Sequence, residues 1–364
     1  MKVLHVDTGK EWRGGQRQVF FLHQGLTSLG IESLVAAHPR GHLFQRSAEP
    51  KTPLSSRGEC DLVAACRLAR ILGRFSPDIA HAHDAHAHTL LLLATVFNGK
   101  PRLVVSRRVD FSITRSPWSR WKYLNPRLDK IITVSQGIKN VLIHDGLPEN
   151  RISVVHSGVA VTQRPRTTEA SLEVRQRLPI PAGAKIVGCV ANFAGHKDHR
   201  TLLRVFQALA EKERDVYLLL VGDGPLYAEI RAESQKIPCA DRIVFTGYQE
   251  DVYPYLMNFD VFILTSYLEG LCTSLIDSLV CQVPIVASRT GGIPEVVRDG
   301  ENGFLVDVGD ISGFVAAIGR LLHNPPCYRT FQENCVISAQ KFSVENMVAG
   351  TVEIYRQIER ESRQ

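Results

Sequence analysis

The sequence predicts an α/β protein made of two doubly wound, Rossmann-like domains facing a cleft, and three observations carry that prediction. Short apolar runs bounded by turn residues alternate with helix-period stretches along the chain, the pattern of parallel strands joined by crossover helices. The alternation breaks once, at residues 163–183, in a stretch rich in proline, arginine and threonine, and then restarts. The chain has 364 residues, 44% apolar and 22% charged, which is enough globular sequence for two domains rather than one small module.

In the first half, strands are expected near residues 3–6, 34–37, 78–81, 103–105 and 131–134. After the first strand, Val19, Leu22, Leu26 and Leu29 recur at helical spacing and Gly30 ends the helix. After the break, strands follow near 186–190, 217–221, 243–245, 261–264 and 285–287. The chain closes on an amphipathic helix carrying Val352, Ile354, Tyr355 and Ile358. The expected domains are 1–165 with the closing helix 344–364, and 166–343. Ligands of doubly wound domains sit beyond the carboxyl ends of the strands, so the cleft is the expected site.

Composition excludes several classes. The longest apolar stretch, residues 90–97, is far too short to span a bilayer, and the N-terminus reads as a buried strand rather than a secretory signal. A cytoplasmic protein is expected. Eight scattered cysteines show no C-x-x-C and no zinc spacing, so buried free thiols are expected. Residues 1–165 hold 23 Lys+Arg against 12 Asp+Glu, a net of +11, whereas the remainder has a net of −5. That asymmetry points to an anionic partner: a phosphorylated glycolipid or a membrane surface, since no nucleic-acid motif is present.

Four motifs carry chemistry. Trp12-Arg13-Gly14-Gly15-Gln16 opens the first helix, where glycines either let a phosphate approach the backbone or serve a turn of positive φ. His81, His83, His86 and His88 follow a strand; alternation puts His81 and His83 on one face, and without a completing Cys or carboxylate cluster a substrate contact by His83 is preferred over a metal. Glu269, Gly270, Leu271, Cys272, Thr273, Ser274 and Asp277 lie where a strand ends, turns at glycine and opens a helix. There a carboxylate can take sugar hydroxyls, the helix N-terminus a diphosphate, and the second carboxylate a ribose, although a loop acid and an exposed helix acid are also readings of Glu269 and Asp277. Finally, Asn192 and Lys197 follow the first strand of the second domain, where the lysine is either a phosphate contact or a solvated loop residue.

These residues, with I-I-T-V-S at 131–135, V-V-H-S-G-V at 154–159, V-G-D-G-P at 221–225 and G-G-I-P-E-V-V-R-D-G-E-N-G-F-L-V at 291–306, together resemble family 4 of the glycosyltransferases over essentially the whole chain. The resemblance implies the GT-B fold, an N-terminal acceptor domain, a C-terminal donor domain, and transfer of a sugar from a nucleoside diphosphate with retention and without a required metal or cofactor. It implies that Gly15 approaches the diphosphate, His83 and Glu269 the sugar, Lys197 the phosphates, Thr273 and Ser274 the phosphate region, and Asp277 the ribose. A UDP- or GDP-sugar is the implied donor, and a glycan or glycolipid, as in lipopolysaccharide assembly, the implied acceptor. Two departures stand out: Asp277 replaces the family's usual glutamate, and Asn192 stands near where an arginine is frequent. Competing readings are a catalytically silent partner subunit and an epimerase of the same architecture. The segment from Lys100 to Arg127 interleaves Arg107, Arg108, Arg115 and Arg120 with Phe111, Trp118, Trp121 and Tyr123, and is expected to meet an anionic glycolipid or the inner face of the membrane as a peripheral surface, opposed only by Asp110.

Overall fold

The computed structural model describes residues 1–96, 101–161 and 167–361. The chain forms two compact units, Met1–Gly158 with Ser343–Gln364, and Val159–Phe342. Lys100 and the expected boundary between residues 165 and 166 lie outside the described residues.

The first unit is a parallel sheet of β1 (Lys2–Asp7), β2 (Glu32–Ala37), β3 (Lys51–Pro53), β4 (Ile79–Ala82), β5 (Arg102–Arg107), β6 (Leu128–Thr133) and β7 (Ile152–Val154), in the order β3-β2-β1-β4-β5-β6-β7. The strand order reverses between β1 and β4, which leaves a crevice beyond their carboxyl ends. The helix Gly14–Ser28 buries Val19, Leu22 and Leu26, but Leu29 is 60% exposed. The reason is local: Gly30, at φ +71, turns the chain away just after the helix. The closing helix Val344–Glu361 lays Met347, Val352, Tyr355 and Ile358 into one cluster with Val3, Leu22 and Leu26. It crosses the first helix so closely that a Cβ on Gly25 would stand 2.4 Å from Val348.

The second unit is a parallel sheet of β8 (Lys185–Val190), β9 (Val216–Val221), β10 (Ile243–Gly247), β11 (Val261–Leu264), β12 (Ile285–Ser288) and β13 (Gly303–Val306), in the order β10-β9-β8-β11-β12-β13, reversing between β8 and β11. The three strands absent from the sequence reading, β3, β7 and β13, are only three or four residues long and lie at sheet edges. Part of the expected linker is also regular. Thr168 caps the helix Glu169–Arg177, its hydroxyl accepting the Ser171 N–H at 3.1 Å. Among the described residues no helix is long and apolar enough to cross a membrane. The cysteines are free, and Cys60 and Cys66 are exposed, against the expectation that the thiols are buried.

Candidate active site

In the second unit, the loops after β8 and β11 meet at the switch point. A backbone bond from Tyr267 N–H to the His196 carbonyl, 3.0 Å, ties them together. The first loop holds the turn Gly195–Lys197, and the second holds Glu269. Lys197 Nζ donates to Glu269 Oε1 in a mostly buried ion pair, and Ser266 Oγ donates to the same oxygen at 2.8 Å. Burial opposes the charge of Lys197, but Cys272 and Glu269 beside it outweigh burial and raise its pKa above the ordinary lysine value. The buried ammonium therefore remains cationic at neutral pH.

Glu269 and Asp277 are both buried, which removes the readings of a solvated loop acid and an exposed helix acid. Gly270, Leu271 and Cys272 are buried, and Thr273 and Ser274 are partly exposed at the start of the helix Thr273–Val280. Cys272, its N-cap, provides no side-chain cap, and the Leu275 N–H bonds back to the Cys272 carbonyl at 3.1 Å. The thiol instead lies 3.1 Å from Ser274 Oγ and 3.8 Å from Lys197 Nζ, and burial pushes its pKa up. Asp277 is 2% exposed and accepts the Tyr253 hydroxyl at 2.6 Å. The sequence gives no sign of Tyr253, 24 positions away, because the pairing depends on how two short helices pack.

Asn192 and Phe193 press against V-G-D-G-P. A Cβ on Gly222, at φ +136, would stand 2.1 Å from the Ala191 carbonyl oxygen, and one on Gly224 would stand 2.7 Å from Phe193 N. These glycines allow the two loops to interlock.

In the first unit, Asp7 ends β1 and His83 follows β4. Gly14 and Gly15 occupy the first turn of their helix without positive φ, so the turn reading of these glycines fails and close approach remains. Gln16 donates to Asp7 Oδ1 at 3.2 Å, and the Gly9 N–H donates to the same oxygen at 2.9 Å. Asp84 binds the Thr8 N–H at 2.6 Å and caps the helix Ala85–Ala94. Burial first, then the Asp84 charge, push the Asp7 pKa up to about 7.

Arg108 Nη2 donates to His83 Nδ1 at 3.3 Å, which leaves the proton of neutral His83 on Nε2, facing His5 Nδ1 at 2.9 Å. His81 lies against His83 with ring centroids 4.0 Å apart and the planes tilted by 33°, and its two nitrogens engage Tyr355 Oη at 2.6 Å and Ser106 Oγ at 2.9 Å. Burial, with the neighbouring histidines and Arg108 adding to it, lowers the pKa of both His81 and His83 well below the usual histidine value. His5, absent from the sequence reading, completes a group of three histidines with one ring nitrogen each within 4.8 Å of the others, a spacing a metal could use. The donor set fits poorly, since the nitrogens of His81 and His83 are engaged and a guanidinium abuts His83. His86 is exposed, and His88 is buried against Tyr123.

The basic segment divides. Arg107 is buried, donating to the Val109 and Phe111 carbonyls and to Tyr123 Oη, so it is a framework residue and not part of an exposed basic face. Lys122 is buried on Glu59, and Arg102 pairs with Asp129 at 2.7 Å; Asp110 is therefore not the only acid opposing the segment. Arg115 and Arg120 are exposed beside a stacked Trp118–Trp121 pair, 38% and 45% exposed, on the helix Pro117–Leu124.

Residues 12–163 match the family model described as Glycosyltransferase Family 4, and residues 171–341 match that of Glycosyl transferases group 1. The chain is 27% identical over 310 residues to the N-acetyl-alpha-D-glucosaminyl L-malate synthase of Bacillus anthracis, covering 83% of this chain and 81% of that one. It is 28% identical to the lipopolysaccharide core biosynthesis glycosyltransferase LpsE of Rhizobium meliloti, over 88% and 89% of the two chains. Its fold superposes on Anabaena Alr3699/HepE, solved in complex with UDP and glucose, with a TM-score of 0.87 at 19% identity, over 98% and 99% of the two chains. With two matched models spread over both halves and two doubly wound sheets, the chain belongs to glycosyltransferase family 4, of GT-B architecture, and resembles bacterial surface-glycan enzymes.

Proposed function

We propose that this glycosyltransferase moves a sugar, with retention, from a nucleoside diphosphate to a hydroxyl of a glycan or glycolipid acceptor. The second unit is the donor side and the first unit the acceptor side. The observation that carries the reading is the buried Lys197–Glu269–Ser266 cluster next to an uncapped helix N-terminus. Lys197 and the first-turn amides of Thr273 and Ser274 would stabilise the departing diphosphate. Glu269 would orient the sugar, Asp277 would take the ribose, and the leaving phosphate would receive the acceptor's proton, so no protein nucleophile is required. Asn192, pinned in its loop, would border the nucleotide, and Gly15 and His83 would serve the substrate from the first unit. No metal takes part in this scheme. The Anabaena protein's complex with UDP and glucose makes UDP-glucose the first donor to test, with GDP-sugars as the other arm.

The stacked Trp118–Trp121 pair beside Arg115 and Arg120 supports peripheral binding to an anionic membrane, where aromatic rings and basic side chains are both favoured. Slow release of nucleoside diphosphate from a nucleotide sugar without acceptor, and an NMR-determined anomeric configuration in the product that matches the donor's, are the expected results. Nucleotide binding without any turnover would favour the silent-subunit reading, and an inverted product would remove the retaining mechanism.

A further inference from the structure

A small pocket of about 20 Å³ within the first unit, open to solvent, is lined by Gln18, His81, Ser106, Arg108, His156 and Ser157 among others, and no carboxylate is among the lining residues. Some of its polar groups are already committed to the framework. Gln18 is held by the Gly158 backbone at both ends of its amide, at 2.8 and 2.7 Å, and both nitrogens of His81 are engaged. Arg108 differs. Its Nε is buried without a partner, and its Nη2 bond goes to a neutral imidazole rather than to an acid. Asp7 acts on it as an opposing charge, but it forms no ion pair with Arg108 among the described residues. A guanidinium with a buried, unpartnered Nε–H is costly to hold without an anion, and its fork of donors matches a planar carboxylate or a phosphate.

We propose that Arg108 makes this pocket a receptor for an anionic group, carboxylate or phosphate, carried by the acceptor. The inference rests on the reading of the first unit as the acceptor side. It narrows the acceptor from any hydroxyl compound to one with an anion near the attacking hydroxyl. It also separates the adjacent arginines: Arg107 stabilises the loop, and Arg108 selects the substrate.

The test saturates the enzyme with UDP, so that the donor phosphate site is filled, and titrates inorganic phosphate, succinate and neutral glycerol at constant ionic strength, following heat by calorimetry. The expected result is saturable binding of at least one anion and none of glycerol, with the stronger anion identifying the group. The dissociation constant should rise at least tenfold in Arg108→Gln and less in Arg108→Lys, which keeps the charge and controls for folding. Three results overturn the proposal: neither anion binds, Arg108→Gln binds the anion as well as wild type does, or UDP affinity falls in parallel, which would place Arg108 on the donor phosphates. Failure of UDP to bind wild type would instead count against the glycosyl-transfer reading, and the anion titration of Arg108→Gln still decides the present one.

Discussion

His88 should make the first unit acid-sensitive in a way that a single substitution removes. Its ring is 2% exposed in the helix Ala85–Ala94, packed edge-on to Tyr123 at 5.0 Å, and neither nitrogen has a hydrogen-bond partner. Burial, then the charges of Lys122 and Arg107, lower its pKa to about 3 from the 6.5 of an exposed histidine. Because the folded value lies below the unfolded one, the unfolded chain binds the extra proton. Stability is therefore full above pH 6.5 and falls with pH from there down to about 3. At pH 5 the unfolded state gains about 2 kcal/mol from this one proton, a sizeable part of a typical domain's stability.

His5 acts in the same sense, and Asp7, with its raised pKa, in the opposite one, so the total slope does not isolate His88. A difference does. His88→Leu should shrink the stability lost between pH 7.5 and 5 by about 2 kcal/mol, and should itself stabilise the protein at pH 7.5 by about 1 kcal/mol, since two unsatisfied buried atoms are replaced by an apolar side chain. Urea unfolding of both proteins at the two pH values measures this. An acid loss equal to that of wild type would refute the argument that His88 stays neutral in the fold.

Glu269→Ala should lower turnover by about a hundredfold or more while leaving the fold intact, as read by steady-state kinetics and circular dichroism. Asp277→Ala should weaken UDP binding by about 1 to 3 kcal/mol in calorimetry, and Tyr253→Phe by less, because it removes only the hydroxyl that holds the carboxylate. Gly222→Ala should cost about 3 kcal/mol or more of stability in thermal unfolding, given the 2.1 Å approach of the Ala191 carbonyl and the left-handed backbone. Trp118→Ser with Trp121→Ser should reduce co-sedimentation with anionic vesicles while sparing donor hydrolysis, whereas Arg107→Glu should unfold the loop rather than act on the membrane alone.

Much of the fold was legible because fully buried parallel strands are written as continuous apolar runs. Residues 186–190 and 261–264 lie within β8 and β11 and are all buried, while β3 and β7 are three residues long and partly exposed, and β13 opens on a glycine at a sheet edge. Of the site, the positions of Glu269 and Lys197 could be read because each lies directly beyond a strand end. Their partners in space could not. Tyr253 is brought to Asp277 by the packing of two short helices, and His5 with Asp7 to His83 by sheet order, and neither is encoded in any local window.

The pair Arg107 and Arg108 shows the limit most sharply. As letters they are the same charge repeated, and together they read as a basic patch. Arg107 is the last residue of β5, however, and side chains there alternate between faces of the sheet. One guanidinium therefore turns into the loop carbonyls of Val109 and Phe111, while the next reaches the crevice beyond β1 and β4 and meets His83. Net charge along a sequence counts both equally. Only the strand's period of two gives one arginine to the loop framework and the other to the crevice.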